Sequence, residues 1–192
     1  IFDQTPYLGT DVYGKTLGLI GLGLIGTAVA KRATGFDMDI LYFSRTRKPE
    51  LEDEFGVIWT PELKDLLVRS DYVSVHVPLG PDTQGFIGES ELAAMKPEAF
   101  LINTSRGGTV DPDALRKALL EGRIAGAALD VTSPEPISKD DPLVFMENVL
   151  ITPHIASASA ATLRRMGLMA ADNVIARLRG EKMPACLNPE AI

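Results

Sequence analysis

The sequence predicts an α/β fold built on a doubly wound parallel sheet, and three observations predict it. Short apolar, β-rich runs alternate along the chain with stretches of helical pattern. The runs are continuously apolar, as strands buried on both faces of a parallel sheet must be. A G-x-G-x-x-G sequence spanning Gly21 to Gly26 falls where the first run hands over to the first helix. Right-handed crossovers are then expected, with binding groups collected at the C-terminal ends of the strands.

Taken in order, the first strand is Leu17–Ile20 and the first helix about Leu24–Thr34. Between them Gly21 permits a tight turn, Gly23 lets a pyrophosphate approach the backbone, and Gly26 lets the helix pack close to the strand. The helix N-terminus presents unpaired N–H groups and a positive dipole end. This is the arrangement of a Rossmann dinucleotide fold. The next strands are Asp39–Phe43 and a short Val57–Trp59. Thr60-Pro61 opens a helix over Glu62–Arg69, with Pro at the first helical position. Strands Tyr72–Val75 and Phe100–Asn103 follow. Asp111-Pro112 opens a helix over Asp113–Glu121, which Gly122 stops. Strands Gly126–Asp130 and Val149–Ile151 flank a loop over Ser133–Pro142 that holds three prolines. From about Ser157 to Arg179 an Ala-rich helical pattern runs to Gly180, long enough to reach beyond the edge of the sheet. Residues 1–192 thus read as one nucleotide-binding domain, of which 157–192 form the terminal helix and tail.

Composition excludes several function classes. With 45% hydrophobic and 23% charged residues the chain is an ordinary globular one. A net charge of −7 leaves no basic stripe for nucleic acid. The uncharged stretch Thr16 to Ala30 is too short to span a bilayer and carries four glycines. The single cysteine, Cys186, forms no internal disulfide, which fits a reducing, cytoplasmic setting. No His/Cys/acid cluster has metal-ligand spacing. The chain begins Ile1-Phe2-Asp3, with neither a signal pattern nor a starting Met, and reads as a piece of a longer protein.

Beyond the second strand, an NAD-binding fold places an acid that accepts from the ribose hydroxyls. Here the strand is followed by Ser44, Arg45, Thr46, Arg47 and Lys48, with no carboxylate before Glu50. Ser44 can hydrogen-bond a 2′-phosphate and the arginines can pair with it. A solvated basic loop is the other reading. With the glycines upstream, the first is preferred: NADP(H), with NAD(H) as the alternative.

Three further segments stand at strand ends: Ile102 to Gly108, which includes Asn103-Thr104-Ser105-Arg106, Ala128 to Pro136, and Thr152-Pro153-His154-Ile155-Ala156-Ser157. They are expected to bring Arg106, Asp130, Glu135 and His154 to one side of the sheet. A cation, carboxylates and one imidazole there suggest hydride transfer to a carbonyl acid. Arg106 can hold an anionic substrate, His154 can donate a proton, and Glu135 can orient the imidazole. Plainer roles also fit, with His154 a loop hydrogen-bonding group, Arg106 an ion-pair partner and Asp130 a turn cap. His76, in VSVHVPL, reads as a packed strand-end residue.

The segments GKTLGLIGLGLIG, HVPLGPDTQGFI, LINTSRGGTVD, GAALDVTSPEP and NVLITPHIAS occur in the order and spacing of the D-isomer-specific 2-hydroxyacid dehydrogenases. The chain resembles that family across about residues 9–190. The resemblance implies that Arg106 binds a small 2-oxo acid, that Glu135 and His154 form an acid–base pair, and that Asp130 meets the nicotinamide carboxamide. It implies cofactor contacts at Gly21, Gly23, Leu24, Ile25 and Gly26, at Ser44, Arg45, Thr46 and Arg47, and at Val77, Pro78 and Thr83. Thr104, Ser105, Arg106, His154 and Ala156 complete that set. DVTSPEP and SRTRK are most similar to the glyoxylate/hydroxypyruvate reductases, which commonly favour NADPH. Ala156 departs from the family, where Gly often follows PHI, and its methyl is expected to crowd the nicotinamide or its ribose. The resemblance also implies a homodimer and a missing N-terminal substrate-side portion, toward which the terminal helix returns. The fragment alone is accordingly expected to hold cofactor without turning over. A nucleotide-sensing, corepressor-like protein that keeps the same fold and the same three residues is the alternative function.

Overall fold

The computed structural model describes residues 9–191. The opening IFDQTPYL, which begins with neither a signal pattern nor a starting Met, lies outside the described residues. Two compact units divide between Pro153 and His154.

The first unit carries seven parallel strands, β1 (Thr16–Ile20), β2 (Asp39–Phe43), β3 (Ile58–Trp59), β4 (Tyr72–Val75), β5 (Phe100–Asn103), β6 (Gly126–Leu129) and β7 (Val149–Ile151). Their spatial order is β3-β2-β1-β4-β5-β6-β7. The chain steps outward from β1 on one side and resumes at β4 on the other, so the order in which strands are added reverses between β1 and β4 while all stay parallel. At such a point neighbouring connections leave on opposite faces and open a crevice. Register runs Leu17↔Tyr72 to Ile20↔Val75 across that junction.

Both faces of the central strands are buried, which explains why the sequence shows no alternation there. Leu19, Ile40 and Tyr42 point into one cluster with Ala30 and Ala33 of α1 (Leu24–Ala33) and Leu51 and Phe55 of α2 (Pro49–Phe55). Ile20, Leu41, Val73, Val75, Leu101 and Leu129 point into the other. That face packs on Leu66 of α3 (Leu63–Arg69), Leu92 of α4 (Glu89–Ala94) and Leu115 of α5 (Pro112–Leu120). Leu19 and Ile20 are fully buried, each stabilising the fold by about 2–3 kcal/mol relative to exposure.

Most elements fall where the sequence places them, and the shifts have local causes. Helix α3 begins at Leu63 rather than Glu62, with Pro61 outside it. Thr60 is tied to the sheet, since its N–H and hydroxyl both donate to the Tyr42 carbonyl. Helix α5 includes Pro112, because the Asp111 carboxylate accepts from the Asp113 and Ala114 N–H groups and so caps one residue earlier. Helices α2 and α4 have no counterpart in the sequence reading: at seven and six residues they are too short for apolar periodicity to show.

The second unit is α6 (Ala160–Leu178), capped by the Ser159 hydroxyl, which accepts from the Thr162 N–H. Gly180, at φ +70°, ends it. The tail returns onto the helix through Asn173, which donates to the Ala185 carbonyl and accepts from its N–H. Among the described residues no helix is long and apolar enough to cross a membrane.

Candidate functional site

The glycine turn closes the junction of β1, α1 and β4. Gly21 sits at φ +97° and donates to the Phe43 carbonyl at 2.8 Å. A Cβ at Gly21 would come within 2.9 Å of the His76 carbonyl oxygen, and one at Gly26 within 2.2 Å of the Gly21 carbonyl oxygen. Those two glycines are therefore demanded by backbone packing. Gly23 is different. A Cβ there would meet nothing within 4 Å, and its φ of −86° suits any residue. The fold does not need this glycine, but a pyrophosphate approaching the α1 N-terminus would. No acidic residue stands in the first turn of α1, while Lys31 and Arg32 stand in its last, so an anion at the N-terminus meets the positive end of the helix. Leu24 and Ile25, in that first turn, are largely exposed.

After β4, His76 donates its N–H to the Ile20 carbonyl, and its Nε2 lies 2.9 Å from the Ser74 hydroxyl. Burial pushes its imidazole down to about 4, so it is neutral near pH 7. Val77 faces Gly21 across the turn. The Thr83 hydroxyl donates to the Pro78 carbonyl at 2.6 Å and accepts from the Gly80 N–H at 2.8 Å, which closes the loop carrying Pro78.

After β2, the Ser44 hydroxyl donates to the Thr46 carbonyl at 2.5 Å, folding the loop on itself. Arg47 is engaged: its Nε and Nη2 donate to Glu52 at 2.9 and 2.7 Å, and its guanidinium lies 5.5 Å from the Trp59 ring centroid. Tyr42 donates to the same Glu52 at 2.7 Å and accepts the Lys48 N–H at 2.7 Å. Arg47 and Tyr42 hold the Glu52 carboxyl down to about 2. Arg45 is exposed.

After β5, Arg106 is presented by a loop that a buried asparagine holds. Asn103 donates to the Arg106 carbonyl at 3.1 Å and accepts from the Ser105 N–H and hydroxyl. The buried Thr109 hydroxyl donates to the same Arg106 carbonyl at 2.7 Å. The Arg106 guanidinium is exposed, with Nη1 donating to the Ser105 carbonyl. Gly107 then passes directly against Thr132, in the loop that leads to Glu135. Asp130 is buried one residue beyond β6 and accepts from the Thr152 hydroxyl at 2.6 Å. Thr104 and Ser105 are half-buried, and Glu135 is exposed. His154 opens the second unit with φ +54°, a left-handed conformation uncommon outside glycine, and Ala156 follows in an exposed turn.

The first unit thus brings the glycine turn beside the β4 loop, and Gly107, next to Arg106, beside Thr132. The sequence reading gave no role to Asn103, Thr109, Thr152, Glu52 or Tyr42. Only Asn103 carried a signal, a polar residue ending an apolar strand before Thr-Ser. No cluster of three or more His, Cys, Asp or Glu among the described residues is placed to hold a metal ion.

Residues 2–156 match the family model described as "D-isomer specific 2-hydroxyacid dehydrogenase, NAD binding domain". The chain belongs to that family. It is 55% identical over 185 residues to a glyoxylate reductase of Korarchaeum cryptofilum, covering 96% of this chain and 55% of that protein. It is 50% identical over 186 residues to one of Thermococcus litoralis, covering 97% and 56%. Among solved structures, the TT0316 protein from Thermus thermophilus superposes with a TM-score of 0.90 at 43% identity, covering 97% of this chain and 58% of that one. A D-lactate dehydrogenase with NAD+ from Lactobacillus jensenii gives 0.86 at 32% identity, covering 97% and 59%. The chain spans just over half the length of the curated relatives it matches.

Proposed function

We propose that this member of the D-isomer-specific 2-hydroxyacid dehydrogenases is the cofactor domain of an NADPH-preferring reductase of small 2-oxo acids, of the glyoxylate/hydroxypyruvate type. The observation that carries this reading is the open space kept at Gly23, beside two glycines that packing alone explains. The nicotinamide cofactor, when bound, supplies a hydride to the substrate carbonyl carbon. The chain's own residues do the rest. Arg106, held by Asn103 and Thr109, pairs with the substrate carboxylate and polarises its carbonyl oxygen. His154 donates the proton to the forming alkoxide, with Glu135 as its carboxylate partner. Asp130, fixed by Thr152, meets the carboxamide. Ser44 and Arg45 meet the 2′-phosphate. One NAD(P)-binding domain over 1–192, with 157–192 turned toward a substrate-side portion, a homodimeric assembly and a cytoplasmic setting complete the proposal. Relatives named glyoxylate reductase support the substrate class.

The test is steady-state NADPH oxidation with glyoxylate or hydroxypyruvate, measured on the polypeptide that carries this chain. Turnover that His154→Gln lowers by roughly 100-fold or more is expected. Normal turnover in that variant sinks the assignment of His154. Cofactor binding without turnover on any 2-oxo acid favours a sensing role instead.

A further inference from the structure

The two arginines of the β2 loop are chemically alike but differently employed. Arg47 makes a two-pronged pair with Glu52 while lying over Trp59. Both oxygens of Glu52 are taken, Oε1 by Tyr42 and Arg47 Nε, Oε2 by Arg47 Nη2. The Glu52 side chain is 17% exposed and that of Arg47 56%. Tyr42 is fully buried in β2, so the pair is anchored to the sheet rather than to a mobile surface. The Tyr42 hydroxyl also accepts the Lys48 N–H, which fixes the far end of the loop.

We infer that Glu52 divides the labour of this loop: it holds Arg47 as a strut and leaves Arg45 as the arginine that meets a 2′-phosphate. The inference rests on the NADPH reading above and deepens it. Two consequences follow from the chemistry. A guanidinium whose Nε and Nη2 edge is committed to a carboxylate has its charge matched and its position fixed, so it can turn only its Nη1 edge to a second anion and gains less from it. The Glu52 charge is likewise matched by Arg47, so this carboxylate neither repels a phosphate nor offers lone pairs to ribose hydroxyls. A carboxylate does stand near the loop, in α2, yet it is spent internally on Arg47 and Tyr42. Arg45 has no such engagement: among the described residues it makes no hydrogen bond or ion pair, and it stands between Ser44 and Thr46 in the folded part of the loop. Discrimination should then reside in Arg45 with Ser44, and rigidity of the loop in Arg47, Glu52 and Tyr42. Glu52 acts as a specificity-determining residue through Arg47, with no contact to the cofactor of its own.

The experiment measures binding of NADPH, NADH and adenosine 2′,5′-bisphosphate to the 192-residue chain by fluorescence titration and calorimetry. The chain itself is compared with Arg45→Gln, Arg47→Gln and Glu52→Gln. Arg45→Gln is expected to weaken NADPH and the bisphosphate by about 10- to 100-fold, with NADH changed less than about threefold. Arg47→Gln should lower the thermal midpoint while the NADPH-to-NADH affinity ratio stays within about threefold. Glu52→Gln, which releases Arg47 toward the loop, should raise that ratio. Should Arg47→Gln abolish the preference and Arg45→Gln leave it, this division of labour is overturned while the NADPH reading stands. Equal affinities for NADPH and NADH in the unaltered chain overturn the NADPH reading, and the inference with it.

Discussion

Substitution of Gly107 by Ala tests whether the loop bearing Arg106 is set by a backbone contact. A Cβ at Gly107 would lie 1.9 Å from the Thr132 carbonyl oxygen, 2.1 Å from its carbon and 2.8 Å from the Ser133 nitrogen. All three are main-chain atoms, so no side chain can swing away. Bringing the closest contact out to about 3.5 Å, an ordinary van der Waals distance, needs a displacement of about 1.5 Å. Arg106 adjoins Gly107, and Thr132 leads to Glu135, so the shift is shared between the two segments proposed to carry substrate chemistry. Overpacking of this kind costs about 1–3 kcal/mol, which for a chain of this size lowers the thermal midpoint by roughly 3–10 °C. A misplacement of about 1 Å at reacting groups is worth on the order of 100-fold in rate, or about 2.7 kcal/mol. Thermal unfolding followed by circular dichroism gives the first number, and kcat/KM for 2-oxo acid reduction gives the second. Gly108→Ala is the control. Its Cβ meets only the ends of Gln84 and Leu79 at 3.2 Å, which can yield, so the variant should stay within about 1 kcal/mol of the parent. A Gly107→Ala variant of the polypeptide that carries this chain, melting like the parent and reducing 2-oxo acids at the parent rate, would refute the reasoning.

Gly23→Ala should lower the thermal midpoint by only a few degrees, because the new methyl enters open space and the cost is that of alanine at an N-cap, about 0.5–1 kcal/mol, yet weaken NADPH by roughly tenfold or more. A variant that binds as well as the parent removes the pyrophosphate from this turn. His76 should make stability depend on pH in a defined window. Its folded value, about 4, lies below the usual 6.5, so between those limits only the unfolded chain takes up the proton. Stability is full above pH 6.5 and falls by about 2 kcal/mol as the pH drops to 4, with some solvent access at this half-buried ring included. Denaturant melts at pH values of about 7, 5.5 and 4.5 check it, and His76→Gln should flatten that part of the profile. The paired carboxylates of Glu52 and Asp141, both held low by their arginines, begin to lose their contribution as the pH falls through the ordinary carboxylate values at the acid end of this window, so the His76 share is read as the difference between the parent and His76→Gln profiles.

Legibility followed the range of each interaction. Strands β1, β2, β4 and β5 and the glycine turn could be read because burial on two faces and tight turns leave a local imprint in apolar runs and glycines, whereas β7, an edge strand with Leu150 exposed, could be read only as a short apolar run. The end of α5 at Gly122, with φ +64°, could be read for the same reason. Helices α2 and α4 lack enough turns to show a period. The start of α3 was displaced by a hydrogen bond from Thr60 to Tyr42, eighteen positions away in the chain. Candidate residues were legible as types at strand ends, whereas their partners were not.

By itself, the sequence determined the doubly wound class, the positions of most strands, and which segments would carry a cation, an acid and an imidazole. These follow from hydrophobic burial and from backbone freedom, both properties of a few consecutive residues. Tertiary structure decided how like residues differ in employment. Arg45 and Arg47 cannot be told apart in SRTRK, but Glu52, Tyr42 and Trp59 converge on one of them alone. The three glycines of the turn are equal in the motif, but Gly21 and Gly26 answer to backbone neighbours and Gly23 to empty space. Gly107, next to Arg106, is limited by Thr132 through a contact that exists only once β5 and β6 lie side by side. Hydrogen bonds and steric limits depend on which atoms come within about 3 Å, and folding alone fixes that distance.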